Sequence, residues 1–442
     1  MRRAASTCLR ALRSAVAALI FLTPAVARAQ TDTATSSFDV NGLKVILRRN
    51  TANDVIAANV YLLGGTQQLS PATQGIETFL LEASERGSKL YPREKLRQVT
   101  ARLGSDITIT PSEDWTVFGV TTIRSTFDSV FAVLADRLAE PTLDSAQVEL
   151  VRARLVAEAR EAENNPDPLV NRLADSLSYV GHPYGFSPSG TVSSLRSISL
   201  GELRHYQESQ MVASRMLLVV VGNIDRAHLE PLVQRTLGRL PRGNYSWSLP
   251  HLPAKLGRAL VVRDEPLPTN YLLGYYAGPT AHDPDYQVLR VATAVLAGRL
   301  FTEVRSKRNL SYEVDAPFLD RAIASGGLYV TTTDPNKTLE IMRVEIDRLQ
   351  REPIDVQGLQ RLVGQFLTDY FLKNETNGDQ ATFLARAQIY QGDYRLASHF
   401  VDDLRKVTPE DVRRVARQYM HDFRFVYLGK SDALSRALIA EF

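Results

Sequence analysis

An α/β (α+β) fold of two homologous domains, each a mainly antiparallel sheet with helices packed on one face, is predicted by three features of this sequence. They are a self-similarity at an offset of about 210 residues, strand-like segments that open and close each half, and helical periodicity between them. Tyr61-Leu62-Leu63-Gly64 returns as Tyr271-Leu272-Leu273-Gly274, and Val120-Thr121-Thr122 as Val330-Thr331-Thr332. Arg137-Leu138 with Glu140-Pro141 returns as Arg348-Leu349 with Glu352-Pro353. Late in each half, an acidic helix start near Glu202 or Glu410 leads into an apolar strand, 217–222 or 425–429, that ends in glycine. Four matches in one order point to a duplicated domain. The stretch 241–257, with Pro241, Gly243, Pro250 and Pro253, has the composition of a linker. The expected organisation is a removable segment 1–29, an N-terminal domain 30–240, a linker 241–257 and a C-terminal domain 258–442.

Taken in order, 38–48 and 56–63 read as strands, the second ending at the Gly64-Gly65 turn. A helix is expected over 92–103, where Leu96, Val99 and Leu103 form one stripe and Gly104 is the stop. The β-branched segments 106–110 and 115–123 read as an antiparallel hairpin. Helices follow over 127–139 and from Ser145, the latter opened by an Asp144 and Gln147 capping box and stopped before Pro166.

With 44% hydrophobic and 23% charged residues the chain has globular rather than disordered composition. Its first thirty residues differ from the rest: Arg2, Arg3, Arg10 and Arg13 precede an apolar run over 16–22, then Pro24 and the triplet Ala27-Arg28-Ala29. This is the three-part pattern of a secretory signal peptide, cut between Ala29 and Gln30. An Arg-rich, acid-free start also fits a mitochondrial presequence, but the compact apolar block favours secretion; for a membrane anchor the run is short. Removal of five arginines and no acids turns the formal charge of +3 into −2, so no basic stripe for nucleic acid remains. Cys8, the only cysteine, leaves with that segment, which excludes disulfides and thiolate chemistry. The product is expected to be periplasmic or secreted.

Two segments carry the chemistry. The first is Gly75-Ile76-Glu77-Thr78-Phe79-Leu80-Leu81-Glu82, and the second is Arg299-Leu300-Phe301-Thr302-Glu303-Val304-Arg305-Ser306-Lys307-Arg308-Asn309-Leu310-Ser311-Tyr312-Glu313-Val314. With the duplicated layout, they resemble the insulinase/pitrilysin (inverted zincin) peptidase family. The family's H-x-x-E-H places two imidazoles on one helix face for zinc and a glutamate as general base. At the matching positions this chain has Thr78 and Glu82 for the histidines and Leu81 for the base, while Glu158 matches the third ligand. The resemblance is therefore to the non-catalytic subunit type. The seven histidines, His182, His205, His228, His251, His282, His399 and His421, include no pair spaced i, i+3 or i, i+4, and there is no G-x-S-x-G elbow.

The second segment resembles the family's R-L-F-x-E-[VL]-R-x-x-R-G-L-x-Y-x-V. It implies that Arg305 and Tyr312 contact a bound peptide, with Asn309 replacing a glycine that caps the helix. A guanidinium fork suits peptide carbonyls or a carboxylate, and a phenol can donate to a developing oxyanion. The resemblance thus implies a heterodimeric zinc metallopeptidase acting on short unfolded peptides. This chain would bind no cofactor of its own, and the zinc would sit on an H-x-x-E-H-bearing partner subunit. The alternative is a structural or peptide-binding insulinase-like protein with no role in proteolysis.

Overall fold

The computed structural model describes residues 34–254 and 256–442; the segment 1–29, expected to be removed and carrying Cys8, lies outside them. Where one strand was expected over 38–48 there are two, β1 (Thr35–Val40) and β2 (Leu43–Arg49). Asn41 and Gly42 both take positive φ, 54° and 89°, and fold the chain back so that Val40 faces Leu43. Two positive φ values in succession define the tight hairpin turn for which Asn-Gly is the favoured dipeptide.

β3 (Val55–Leu63) and the hairpin of β4 (Ile107–Pro111) with β5 (Trp115–Ile123) match expectation, and β6 (Met216–Gly222) completes the sheet. Its order is β1-β2-β6-β3-β5-β4, with only β2 and β6 parallel. The second sheet contains β7 (Ala259–Asp264), β8 (Asn270–Thr280), β9 (Glu313–Asp315), β10 (Phe318–Leu319), β11 (Ile323–Thr332) and β12 (Arg424–Gly429). Its order is β10-β11-β8-β12-β7, with β9 also on β11 and only β12 and β7 parallel.

The duplication is real, but one of its sequence matches is out of register. Ala57 lies opposite Thr121 and Val221, and Tyr271 lies opposite Thr331 and Leu428. With Thr121 equivalent to Thr331, Tyr271 therefore corresponds to Ala57, whereas Tyr61 corresponds to Tyr275. The Tyr-Leu-Leu-Gly repeat is displaced by two pleats, which preserves the face of each side chain and so conceals the slip.

The helices Arg93–Leu103 and Phe127–Ala139 form as expected, the first ending at Gly104 with φ 60°. Before the helix Ser145–Asn164, Asp144 accepts from the Gln147 amide at 3.0 Å, but Gln147 Oε1 is buried without a partner, so only half of the capping box forms. Pro166 then opens a further helix, Pro166–Ser178, with Asn165 as its cap.

Each sheet packs one face on helices of its own half. Ile56, Ala58, Val60 and Leu62 of β3 meet Phe79, Leu80 and Phe131, while Leu272 and Tyr276 of β8 meet Leu289, Leu296 and Met342. The opposite faces are covered by exchange. The helix Asn377–Gln391 from the C-terminal half lays Ala381, Leu384 and Ala385 on Ile46, Tyr61, Leu217, Val219 and Val221. The helix Pro166–Ser178 from the N-terminal half lays Leu169, Val170 and Ala174 on Leu273, Tyr275, Val426 and Leu428. Burial on both faces explains why β6 reads Met-Leu-Leu-Val-Val-Val-Gly without alternation. Burying each such side chain contributes about 1.5–3 kcal/mol, so the exchanged contacts rival the net stability of an ordinary domain.

Candidate functional site

The degenerate motif lies on the helix Ile76–Ser84, which starts at Gly75 with φ 80°. A Cβ at Gly75 would come within 2.5 Å of the Gly190 backbone, so only glycine admits the close approach of the 188–191 loop. That loop roofs a cavity of about 520 Å³ lined by Thr78, Glu82, Glu113, Glu158 and the edge strand residues Ile109 and Pro111.

Thr78 Oγ1 donates to the Pro188 carbonyl at 2.9 Å, and Leu81 is turned into the core at 1% exposure. Glu82 and Glu158 do come together, but around Arg154. One guanidinium nitrogen donates to Glu82 Oε2 at 2.7 Å and the other to Glu158 Oε1 at 2.9 Å. Burial disfavours the Arg154 charge, yet the two carboxylates outweigh it and hold its pKa above the ordinary arginine value. The residues present do not suit zinc. Thr78, Leu81, Glu82 and Glu158 supply a hydroxyl committed to a carbonyl, an aliphatic side chain and two carboxylates already sharing a guanidinium, and no imidazole. Among the described residues, no three His, Cys, Asp or Glu side chains cluster as a metal site. Sequence reasoning missed Arg154, although its spacing to Glu158 is that of an i, i+4 helix pair.

Beside the motif, Glu77 is buried with Arg215. Glu77 Oε2 lies 2.6 Å from the guanidinium and accepts the Tyr206 hydroxyl at 3.0 Å. Arg215 also donates to the Leu63 carbonyl at 2.8 Å. The pair fastens the motif helix to the end of β3.

The Gly181-His182-Pro183-Tyr184-Gly185 segment joins the halves. Tyr184 donates to Asp114 at 2.5 Å, and Asp114 also accepts from Tyr390 at 2.6 Å and from the Ala322 amide at 2.8 Å. Burial raises the Asp114 pKa despite these three donors. Next to it Arg321 bridges Glu113 and Asp175, both at 2.8 Å. His182 Nε2 bonds the His251 carbonyl at 2.8 Å while its Nδ1 accepts the Tyr184 amide at 3.1 Å. The rings of His182 and His251 are 4.8 Å apart, a proximity their sequence spacing did not suggest, but both nitrogens of His182 are occupied.

In the C-terminal half, the helix Asp285–Leu300 runs into a π-helical turn, Phe301–Ser306, that carries Arg305. π-helical turns recur at functional sites. Asn309, at φ 52°, ends the turn, its amide bonding the Arg305 carbonyl and that of Leu310 the Val304 carbonyl. Arg305 lies over the exposed Phe301 ring at 5.1 Å, and Tyr312 is 81% exposed. Among the described residues neither side chain has a hydrogen-bond or ionic partner, and neither lines the cavity at Glu82.

Two sheets of this topology joined by exchanged helices define the insulinase-type fold, and comparisons with known proteins agree. Residues 44–191 match the family model "Insulinase (Peptidase family M16)", and residues 197–366 match "Peptidase M16 inactive domain". The chain belongs to the insulinase family of peptidases, as a member without the H-x-x-E-H motif. It is 22% identical over 401 residues to an uncharacterized zinc protease, YmxG, of Bacillus subtilis, covering 88% of this chain and 97% of that one. It is 23% identical over 399 residues to the mitochondrial-processing peptidase subunit beta of Blastocladiella emersonii, covering 86% and 85%. Among solved structures, a peptidase M16 inactive domain from Pseudomonas fluorescens superimposes with a TM-score of 0.83 at 18% identity, covering 90% and 98%.

Proposed function

We propose that this chain is the non-catalytic subunit of a heterodimeric zinc metallopeptidase that degrades short unfolded peptides. The observation that carries it is a contrast between two arginines. Arg154 closes the degenerate site with two carboxylates, whereas Arg305, with Tyr312 nearby in sequence, is exposed and has no ionic partner among the described residues. An exposed guanidinium and phenol without hydrogen-bond or ionic partners among the described residues suit a peptide held against a second subunit that bears H-x-x-E-H. That subunit would carry the zinc and the general base. This chain would supply donors to the peptide and to the oxyanion. The β4 edge, beside the cavity, would receive the peptide as an added strand through main-chain hydrogen bonds, with little sequence preference.

In this reading 30–240 and 258–442 are the two repeated units, 241–257 their connection, and 1–29 an export signal for the periplasm or beyond. No helix among the described residues is long and apolar enough to cross a membrane.

The test is to purify residues 30–442 and an H-x-x-E-H-bearing relative from the same source, separately and together, and to assay cleavage of unstructured peptides. Activity is expected only in the mixture. Equal activity of the partner alone would remove the proposed role and favour a structural or peptide-holding protein.

A further inference from the structure

A second cavity, of about 450 Å³, lies in the C-terminal half between the helices Asp285–Leu300, Val356–Lys373 and Asn377–Gln391. At its floor two arginines share one carboxylate. Asp320 takes Arg290 at 2.8 Å, Arg386, and the Tyr286 hydroxyl at 2.6 Å. Arg290 is otherwise satisfied, with Nε on Gln287 at 3.0 Å and its guanidinium over Phe318 at 4.6 Å. Arg386 has no other hydrogen-bond or ionic partner among the described residues, and it lines the cavity. The floor therefore holds one positive charge in excess and a guanidinium with donors to spare.

The walls are aromatic. Tyr370 packs edge-on against Phe383 at 4.9 Å and tilted against Phe400 at 5.2 Å, and Phe366 completes the lining. The mouth is acidic: Asp369, Asp379 and Asp403 are exposed there, with Asp403 paired to Lys406 at 2.9 Å. A volume of this order suits a small ligand, and a few convergent polar groups in an apolar setting are the usual form of such sites.

We propose that this cavity binds a zwitterionic ligand with an apolar or aromatic side chain, a free amino acid or dipeptide. Its carboxylate meets Arg386 at the floor, its side chain packs on Tyr370, Phe383 and Phe400, and its ammonium faces the acidic mouth. A guanidinium fork takes a carboxylate in two parallel hydrogen bonds, which a primary amide cannot reproduce. The site needs no second subunit and stands apart from the role of Arg305 and Tyr312.

Calorimetric titration of the full mature chain with the dipeptide Ala-Phe, its C-terminal amide and its N-acetyl form tests the assignment. Ala-Phe is expected to bind with a submillimolar Kd, the amide at least about tenfold more weakly, and the acetylated form also more weakly. Arg386→Gln is expected to reduce binding of Ala-Phe to that of the amide and to leave the amide unchanged. Indistinguishable binding of acid and amide by the native chain, or no saturable heat up to about 10 mM, would overturn it, whatever the variant does to folding.

Discussion

The Arg154 guanidinium donates to Glu82 at 2.7 Å and to Glu158 at 2.9 Å, and so a cation of the protein itself is held between the two carboxylates. Arg154 and Glu82 are both partly exposed, so this pair and the one to Glu158 are worth about 0–1 kcal/mol each. Their importance is one of occupancy.

Restoring imidazoles alone should therefore be insufficient. Thr78→His with Glu82→His is expected to bind zinc at least about tenfold more weakly than the same pair combined with Arg154→Ala, since Arg154 still holds Glu158. Competition against a chelating dye reads the difference. Equal affinities would mean that the guanidinium does not obstruct the site.

Glu77 and Arg215 behave differently because both are buried, at 4% and 0% exposure. Removing the carboxylate strands a charge away from water. Glu77→Ala is expected to cost about 3–5 kcal/mol in denaturant unfolding, against about 1 kcal/mol or less for Arg154→Ala.

His182 predicts a dependence on acid. Burial, with the nearby His251 and Arg321, holds its pKa below the ordinary 6.5, and the Tyr184 amide on Nδ1 favours the neutral ring. A depressed folded value means that its contribution is complete above about 6.5 and is lost as the pH falls through the folded pKa. The Tm should drop as the pH falls below about 6.5, and His182→Gln, though less stable at pH 7, should show a shallower drop.

Arg305→Ala and Tyr312→Phe touch exposed side chains without hydrogen bonds, so unfolding should change by no more than about 0.5 kcal/mol. If the chain serves a catalytic partner, Tyr312→Phe should lower kcat of the pair about 10²–10³-fold through loss of one oxyanion donor. A variant that melts early would instead assign Tyr312 to the fold.

What was legible in the sequence was local or periodic. The stripe of Leu96, Val99 and Leu103, the Gly104 stop and the β4–β5 hairpin all rest on contacts between near neighbours, and each formed. The Asn41-Gly42 turn is equally local, but apolar residues continue on both sides of it and mask the break between β1 and β2. The Tyr-Leu-Leu-Gly repeat misled because a slip of two pleats keeps every side chain on its face. At the site, the replacement of the motif by Thr78, Leu81 and Glu82 could be read directly. The closure by Arg154 depended on two helices meeting, and the bridge of Arg321 to Glu113 and Asp175 joins residues from distant parts of the chain. Pairing patterns along one segment do not encode such meetings.

The crossed placement of the helices Pro166–Ser178 and Asn377–Gln391 also has a consequence for folding. All strands of the first sheet lie before residue 223, but Ile46, Leu217, Val219 and Val221 stay uncovered until the helix that ends at Gln391 docks. Until then the partly folded chain presents a bare oily surface. Its successful production should depend on a chaperone that shields it, and a message truncated before that helix should yield only aggregate.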